Sequence, residues 1–282
     1  MEQNTNTLVP VVPKAKMPII DAGKYIKQKY FKLLMVWLLI AIILAVLFAL
    51  VIPPLMIFPL FAMLVVYGVI RQKAEDAFFE QFALANNFSF QKKGLPLDFN
   101  GSLCFVGHSQ IGRDLVSGEF QDIPFALLNY QYTVGSGKNS HTYIYTAFRL
   151  DFPSSLPPIF LKPKYCYFGG SMFGNISDEA KQKLNLEGNF NDYFDLWTKH
   201  DYEIETLQLF TPDFMQKIQD TWNKFSIEFK DNQIYVYHGH MITKDEELES
   251  MYQLIQYLVN KITLFAKAVK GDIEAMNAEY KN

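Results

Sequence analysis

The sequence predicts an α+β protein in which an N-terminal transmembrane helical hairpin precedes a cytosolic domain of mostly antiparallel strands with packed helices. Three observations predict this class. Residues 33–70 form an uninterrupted apolar run, residues 123–152 alternate apolar and polar side chains, and residues 244–270 repeat apolar side chains at spacings of three and four. A period of two is typical of strands, and alternating steps of three and four are typical of an amphipathic helix.

The apolar run contains no charged residue and no Ser, Thr, Asn, Gln or His, and Pro53 and Pro54 divide it. Two prolines in a row end a helix, because proline lacks an amide donor and disfavours helix in the residue before it. Residues 33–52 can cross the hydrocarbon core of a bilayer, whereas residues 55–70 are short. We therefore predict a transmembrane hairpin, with a re-entrant second half as the alternative.

Positive charge flanks both ends of the hairpin and is absent from its turn. The flanking residues are Lys24, Lys27, Lys29 and Lys32 before the run and Arg71 and Lys73 after it. Lys and Arg stay on the cytoplasmic side, so we predict a multi-pass protein with both termini cytoplasmic. The hairpin has no ionisable side chain, which favours an anchor over a transport path.

Charge differs along the chain. Residues 1–32, a basic Pro-containing arm, carry a net charge of +4, which leaves −7 for the cytosolic domain of residues 71–282. An acidic domain argues against a nucleic-acid partner, because phosphate backbones are bound by clustered Lys and Arg. The arm favours anionic lipid headgroups of the bilayer. Cys104 and Cys166 lack the spacing of a zinc site or a disulfide framework, and we interpret them as reduced, packed thiols.

Strands are predicted over residues 103–162. Ala126, Leu128, Tyr130 and Tyr132 share one face of a strand, and a second strand follows after the sequence GSGKNS at 135–140. This connection superficially resembles a phosphate-binding loop. However, its glycine spacing is wrong and Asn139 stands where Ser or Thr is needed, so we predict a hairpin turn.

The next elements are predicted from capping and turn residues. Residues 177–184 form a short helix, residues 190–198 a strand, and Thr211-Pro212 begins a helix whose hydroxyl caps its first amides. Phe214, Ile218 and Trp222 form the buried face of that helix.

A second hairpin is predicted with its register. If Asp231-Asn232 is a two-residue turn, Phe229 pairs with Ile234, Ile227 with Val236, and Phe225 with His238.

His238 and His240 then point toward the apolar, core side of the hairpin. A His-x-His pair can bind zinc, but no Cys, Asp or Glu is placed by the sequence as a third ligand. We therefore favour packed, hydrogen-bonded histidines over a metal site. His108, His141 and His200 are isolated, and the sequence predicts no catalytic residue and no cofactor.

The last predicted element is a helix over about 244–270, ended by Gly271. Its apolar stripe is Leu248, Met251, Ile255, Leu258, Ile262, Phe265 and Val269. Tyr252, Leu254 and Val259 widen the stripe beyond a two-helix seam, so we predict packing onto the sheet rather than a coiled coil.

Together with the hairpin, the sequence YEIETLQLFTPDFM at 202–215 resembles a bacterial family of two-span membrane proteins known as domain of unknown function 3137. The resemblance covers roughly residues 30–265. It implies the bacterial cell inner membrane and an α+β cytosolic domain, and it implies no activity and no functional residue.

The function predicted from these patterns is that of a membrane-anchored protein that presents a cytosolic interaction or scaffold domain to a membrane or cytosolic protein partner. One alternative is a membrane-tethered hydrolase acting on lipid or envelope precursors, with a site assembled from residues distant in sequence. Another is an amphiphile-binding domain with an aromatic pocket. The enzyme class stays open, and a non-enzyme is favoured because no catalytic motif is present.

Overall fold

The computed structural model describes residues 15–17, 22–51, 57–105, 107–120, 123–164 and 182–279. The predicted turn at Pro53-Pro54, Cys166 and residues 177–181 of a predicted helix lie outside these ranges. The chain divides into two compact units. One consists of Lys16–Phe90 and Thr243–Leu248, and the other contains Gln91–Ile242 and the chain from Glu249 onward.

Two long helices make up most of the first unit, α1 (Ala22–Val51) and α2 (Ile57–Asn86). They pack against each other, yet most of their large apolar side chains remain exposed, including Leu39 at 57% and Leu64 at 68%. Within the described residues, both helices are long and apolar enough to cross a membrane. A continuous apolar surface of this size marks a membrane or protein contact, and here it suggests membrane association.

The second of these helices continues beyond the predicted end of its span at Ile70. The side chains of Arg71 and Glu75 form an ion pair across one helical turn, with 2.8 Å between Nε and Oε1. Phe78 and Phe82, four residues apart, are at most 1% exposed, as the helical period of this segment predicts.

Among the described residues, a sheet at the centre of the second unit has nine strands. They are β1 (Ser89–Lys93), β2 (His108–Phe120), β3 (Ile123–Val134), β4 (His141–Asp151), β5 (Ile159–Pro163), β6 (Gln182–Leu184), β7 (Phe194–Thr198), β8 (Phe225–Lys230) and β9 (Gln233–His238). Their lateral order is β1-β2-β3-β4-β9-β8-β5-β7-β6. All neighbouring pairs from β2 onward in this order are antiparallel, so the predicted α+β class with a large antiparallel sheet is confirmed.

Both predicted hairpins are confirmed. Strands β3 and β4 pair up to Val134 and His141, next to Gly135, whose φ of +85° suits glycine. In the second hairpin, Phe229 pairs with Ile234 and Phe225 with His238, which is the predicted register.

Four helices accompany the sheet: α3 (Phe190–Tyr193), α4 (Glu203–Leu209), α5 (Pro212–Thr221) and α6 (Asp245–Glu279). Helix α5 begins where Thr211-Pro212 predicts, and its predicted buried face is buried. The role assigned to the Thr211 hydroxyl is wrong. It caps no amide and accepts a hydrogen bond from Lys261 Nζ at 3.1 Å instead.

Three other predicted boundaries are corrected. Residues 182–184 form an edge strand on β7 rather than the end of a helix. The predicted strand at 190–198 begins as the short helix α3 and becomes extended only at Phe194. Helix α6 continues through Gly271 to Glu279, because one interior glycine costs only about 1 kcal/mol and the following residues include good helix formers.

Candidate functional site

The two candidate metal ligands of the sequence lie at the end of β9. His238 is 2% exposed and its ring centroid lies 5.1 Å from that of Phe225, so the predicted placement toward the core is confirmed. For His240 the predicted placement toward the core is wrong, because this side chain, beyond the end of β9, is exposed. Its ring contacts that of His238 edge-on at 4.2 Å. Burial, and then the neighbouring His240, lower the pKa of His238 to about 4, so this imidazole is neutral at physiological pH.

Strand β4 fixes the backbone around this pair. The Thr146 amide donates to the His240 carbonyl at 3.3 Å, and the Ile242 amide donates to Thr146 Oγ1 at 2.8 Å. The Thr146 hydroxyl in turn donates to Asn129 Oδ1 at 2.7 Å, and Asn129 Nδ2 donates to Asp114 at 3.0 Å. A buried polar chain therefore crosses β2, β3 and β4. The sequence patterns did not predict it, because its members Asp114, Asn129 and Thr146 lie on different strands.

A second buried polar cluster lies on the opposite face of the sheet, around Glu228 of β8. This side chain is 3% exposed, and its carboxylate accepts hydrogen bonds from the Ser102 amide at 2.9 Å and the Tyr237 hydroxyl at 2.6 Å. The Ser102 hydroxyl also donates to it, at 2.5 Å. Burial raises the pKa of Glu228, and the hydrogen bonds from Ser102 and Tyr237 oppose that rise.

The donors to Glu228 come partly from an irregular stretch, Asp98–Phe105, which we call the 98–105 segment. It is also attached at Asp98, whose carboxylate pairs with Arg149 Nη1 at 2.6 Å, and at Asn100, whose carbonyl accepts from Lys230 Nζ at 2.9 Å. The Arg149 guanidinium lowers the pKa of Asp98. The segment approaches closely at Gly101, where a Cβ atom would lie 2.0 Å from the Tyr237 hydroxyl.

Beneath the 98–105 segment the sheet presents a layer of buried aromatic side chains, including Tyr130, Tyr132, Tyr145, Tyr235 and Tyr237. Cys104 packs against this layer and forms no disulfide. Burial raises the pKa of its thiol to about 12, so the thiol stays protonated and unreactive, as a packed structural cysteine does. The tyrosine layer and Glu228 thus hold the fold together and offer little reactive chemistry.

Some of the exposed apolar side chains of this unit lie together on and beside α4. Ile204 is 70% exposed, Leu207 44% and Tyr202 36%. We call these three residues the α4 surface. Ile204 and Leu207 are three positions apart, so they share one side of the helix.

The inner side of α4 is fixed to β7. The Thr206 hydroxyl lies 2.9 Å from that of Thr198, and it donates to the Tyr202 carbonyl at 2.7 Å. Phe210, directly after the helix, packs against Phe190 and Phe214 with ring centroids 6.1 and 5.1 Å apart. The helix therefore presents its outer apolar side chains from a rigid support.

A groove of about 340 Å³ lies along α5. It is lined by Glu187, Asn189, Phe190, Pro212, Met215, Gln216, Gln219 and Asp220. Two carboxylates and three side-chain amides surround a small apolar floor, so this part of the surface is acidic.

No family model and no curated protein match this sequence. A solved structure, the crystal structure of the mycobacterial trehalose monomycolate transport factor A, is similar at 10% identity with a TM-score of 0.45. The match covers 68% of this chain and 93% of that one. The likeness is too distant to bear on function, and the resemblance to the two-span bacterial family stays a prediction.

Proposed function

We propose that this chain is an inner-membrane protein of bacteria that uses α1 and α2 as an anchor and the sheet-containing unit to bind another protein in the cytoplasm. The anchor is supported by two helices whose large apolar side chains remain exposed. Both chain termini are then cytoplasmic, since positive charge flanks the hairpin on the side of the termini.

The observation that carries the binding role is the α4 surface. An apolar side chain exposed to 70%, such as Ile204, is common when it stands alone, but here Leu207 and Tyr202 accompany it within six residues. Because the inner side of α4 is packed on β7, the three residues form a preorganised patch, which lowers the entropic cost of binding.

Charge around the α4 surface indicates the chemistry of the partner. Asp201, Glu203 and Glu205 lie between and beside its apolar residues, and Lys199 pairs with Asp201 at 3.8 Å. A partner surface with apolar side chains surrounded by Lys or Arg matches this arrangement, because complementary charge steers association.

Site-specific photo-crosslinking in intact cells of the native host tests this function. A photoreactive amino acid replaces Ile204 or Leu207 in the full-length chain, and Gln208, an exposed polar residue of the same helix, provides the matched control position. We expect a discrete crosslinked protein from positions 204 and 207 and much less of it from 208. Equal products from all three positions, or none from 204 and 207, would refute the proposal.

A further inference from the structure

The histidine pair at the end of β9 is arranged as metal ligands are. One ring nitrogen of His238 and one of His240 lie within 4.8 Å of each other. Zinc–imidazole bonds are about 2.0–2.1 Å long, so two nitrogen ligands of a tetrahedral ion lie roughly 3.3 Å apart. His240 is exposed, and a modest rotation of its side chain brings the two nitrogens to that separation.

The surroundings fix the tautomer that a metal needs. His238 Nδ1 lies 3.2 Å from the His240 carbonyl oxygen, which can only accept, so the proton is held on Nδ1. The lone pair of Nε2 is therefore available to a cation. A ligating histidine held through its other ring nitrogen by a backbone carbonyl is the usual arrangement at metal sites.

The carbonyl that orients His238 is itself held in place. It accepts from the Thr146 amide at 3.3 Å, and Thr146 belongs to the buried polar chain through Asn129 and Asp114. This buried polar chain joins three strands next to the histidine pair. An outer set of hydrogen bonds that orients the ligands is a regular part of metal sites.

We propose that His238 and His240 bind one divalent transition-metal ion of the zinc class, with oxygen ligands completing its coordination. Imidazole nitrogen suits Zn²⁺, Co²⁺, Ni²⁺ and Cu²⁺, and it excludes Ca²⁺ and Mg²⁺, which take oxygen ligands. The His240 carbonyl is already bonded to the Thr146 amide of β4, so an ion held by His238 and His240 stabilises the point where the chain leaves the sheet.

The test uses the full-length protein in detergent, purified through a tag without histidine and stripped of metal. Co²⁺ is titrated in, and binding is followed by visible absorption, which reports nitrogen and oxygen coordination, and by the thermal unfolding midpoint. We expect one Co²⁺ per chain, a raised midpoint, and displacement of Co²⁺ by Zn²⁺.

His240→Gln is the decisive variant, because His240 is exposed and its loss leaves the core intact. We expect it to weaken Co²⁺ binding by more than about tenfold, since even outer hydrogen-bond partners of a metal site cost that much. His141→Gln, an exposed histidine of β4, is the matched control and should bind as the natural chain does. Unchanged Co²⁺ affinity and spectrum in His240→Gln, or no stoichiometric binding by the natural chain, would overturn the proposal.

Discussion

One face of the sheet is covered by the long helix α6 through apolar side chains, whereas the other face is covered by the 98–105 segment through polar contacts and tyrosines. On the α6 face, the ring of Tyr252 meets Phe120 and Phe148 edge-on at 5.7 and 6.3 Å. On the other face, which carries the tyrosine layer, the buried Glu228 carboxylate accepts a hydrogen bond from the Ser102 amide. A regular helix pairs most of its own backbone amides, so apolar contacts are enough to hold it on the sheet. An irregular segment leaves amides unpaired, and these need a hydrogen-bond acceptor from the sheet.

The largest expected effect concerns the α6 face. Phe148→Ala removes a completely buried ring that stacks on Phe125 at 5.4 Å, and we expect a loss of about 3–5 kcal/mol in the free energy of unfolding. Urea unfolding of the full-length protein in detergent, followed by tryptophan fluorescence, measures it. Ile111→Ala, at a 42% exposed apolar position of β2, is the control and should change stability by less than about 0.5 kcal/mol. Equal losses in the two variants would mean that this face is not a packed core.

The next effect concerns the contact between the 98–105 segment and the sheet. Gly101→Ala places a methyl group 2.0 Å from the Tyr237 hydroxyl and 3.1 Å from the Tyr235 ring, both of them buried. We expect a loss of about 1–3 kcal/mol by overpacking, measured in the same unfolding experiment. Gly68→Ala, where no atom lies within 4 Å of the added methyl group, serves as control. An unchanged midpoint in Gly101→Ala would show that the segment does not rest on Tyr237.

A smaller effect follows from the ionisation of Glu228. Because burial raises its pKa, the folded state binds this proton more tightly than the unfolded state does. The stability that this group contributes is therefore fully present below its ordinary pKa of 4.5 and decreases as the pH rises through the folded pKa.

Glu228→Gln removes this titration and keeps a similar shape. We expect the stability of the natural chain relative to Glu228→Gln to increase as the pH falls from 7 toward 4.5. Thermal midpoints of both proteins across this pH range measure the difference. A difference that does not vary with pH, or that shrinks toward acid, would contradict a raised pKa.

The smallest effect on stability is expected at the α4 surface. Ile204→Ser with Leu207→Ser replaces exposed side chains, so the free energy of unfolding should change by less than about 0.5 kcal/mol. The same double variant should lose the crosslinked partner when the photoreactive residue is placed at Tyr202. Lost stability with retained crosslinking would mean that these residues support the fold and do not bind.

Local patterns in the sequence predicted one kind of feature well. The register of the Asp231-Asn232 hairpin follows from a short turn and alternating side chains, both of which lie within fourteen residues. The buried stripe of α6 follows from its own spacing in the same way. The fold class could therefore be predicted from the sequence, because the spacing of apolar side chains differs between strands and helices.

Features that depend on distant parts of the chain were not predictable. Glu228 alternates with Ile227 and Phe229, which is the usual pattern of a strand with one solvated face. Its burial depends on Ser102, 126 residues away, whose amide bonds to it. Likewise, nothing in the sequence around Tyr235 and Tyr237 of β9 predicts that the 98–105 segment covers them. The placement of His238 was predicted, but the carbonyl and the polar chain that orient it were not.

The unbroken course of α2 has a mechanical consequence. Thirty residues of helix span about 45 Å, roughly 15 Å more than the hydrocarbon thickness of a bilayer. No proline or π-bulge interrupts the helix between Ile70 and Asn86, so its two halves move as one rigid rod. If residues 57–70 cross a bilayer, as we propose, a change in bilayer thickness changes their tilt, and residues 71–86 turn by the same angle. Lipid composition would then set the direction in which residues 71–86 point.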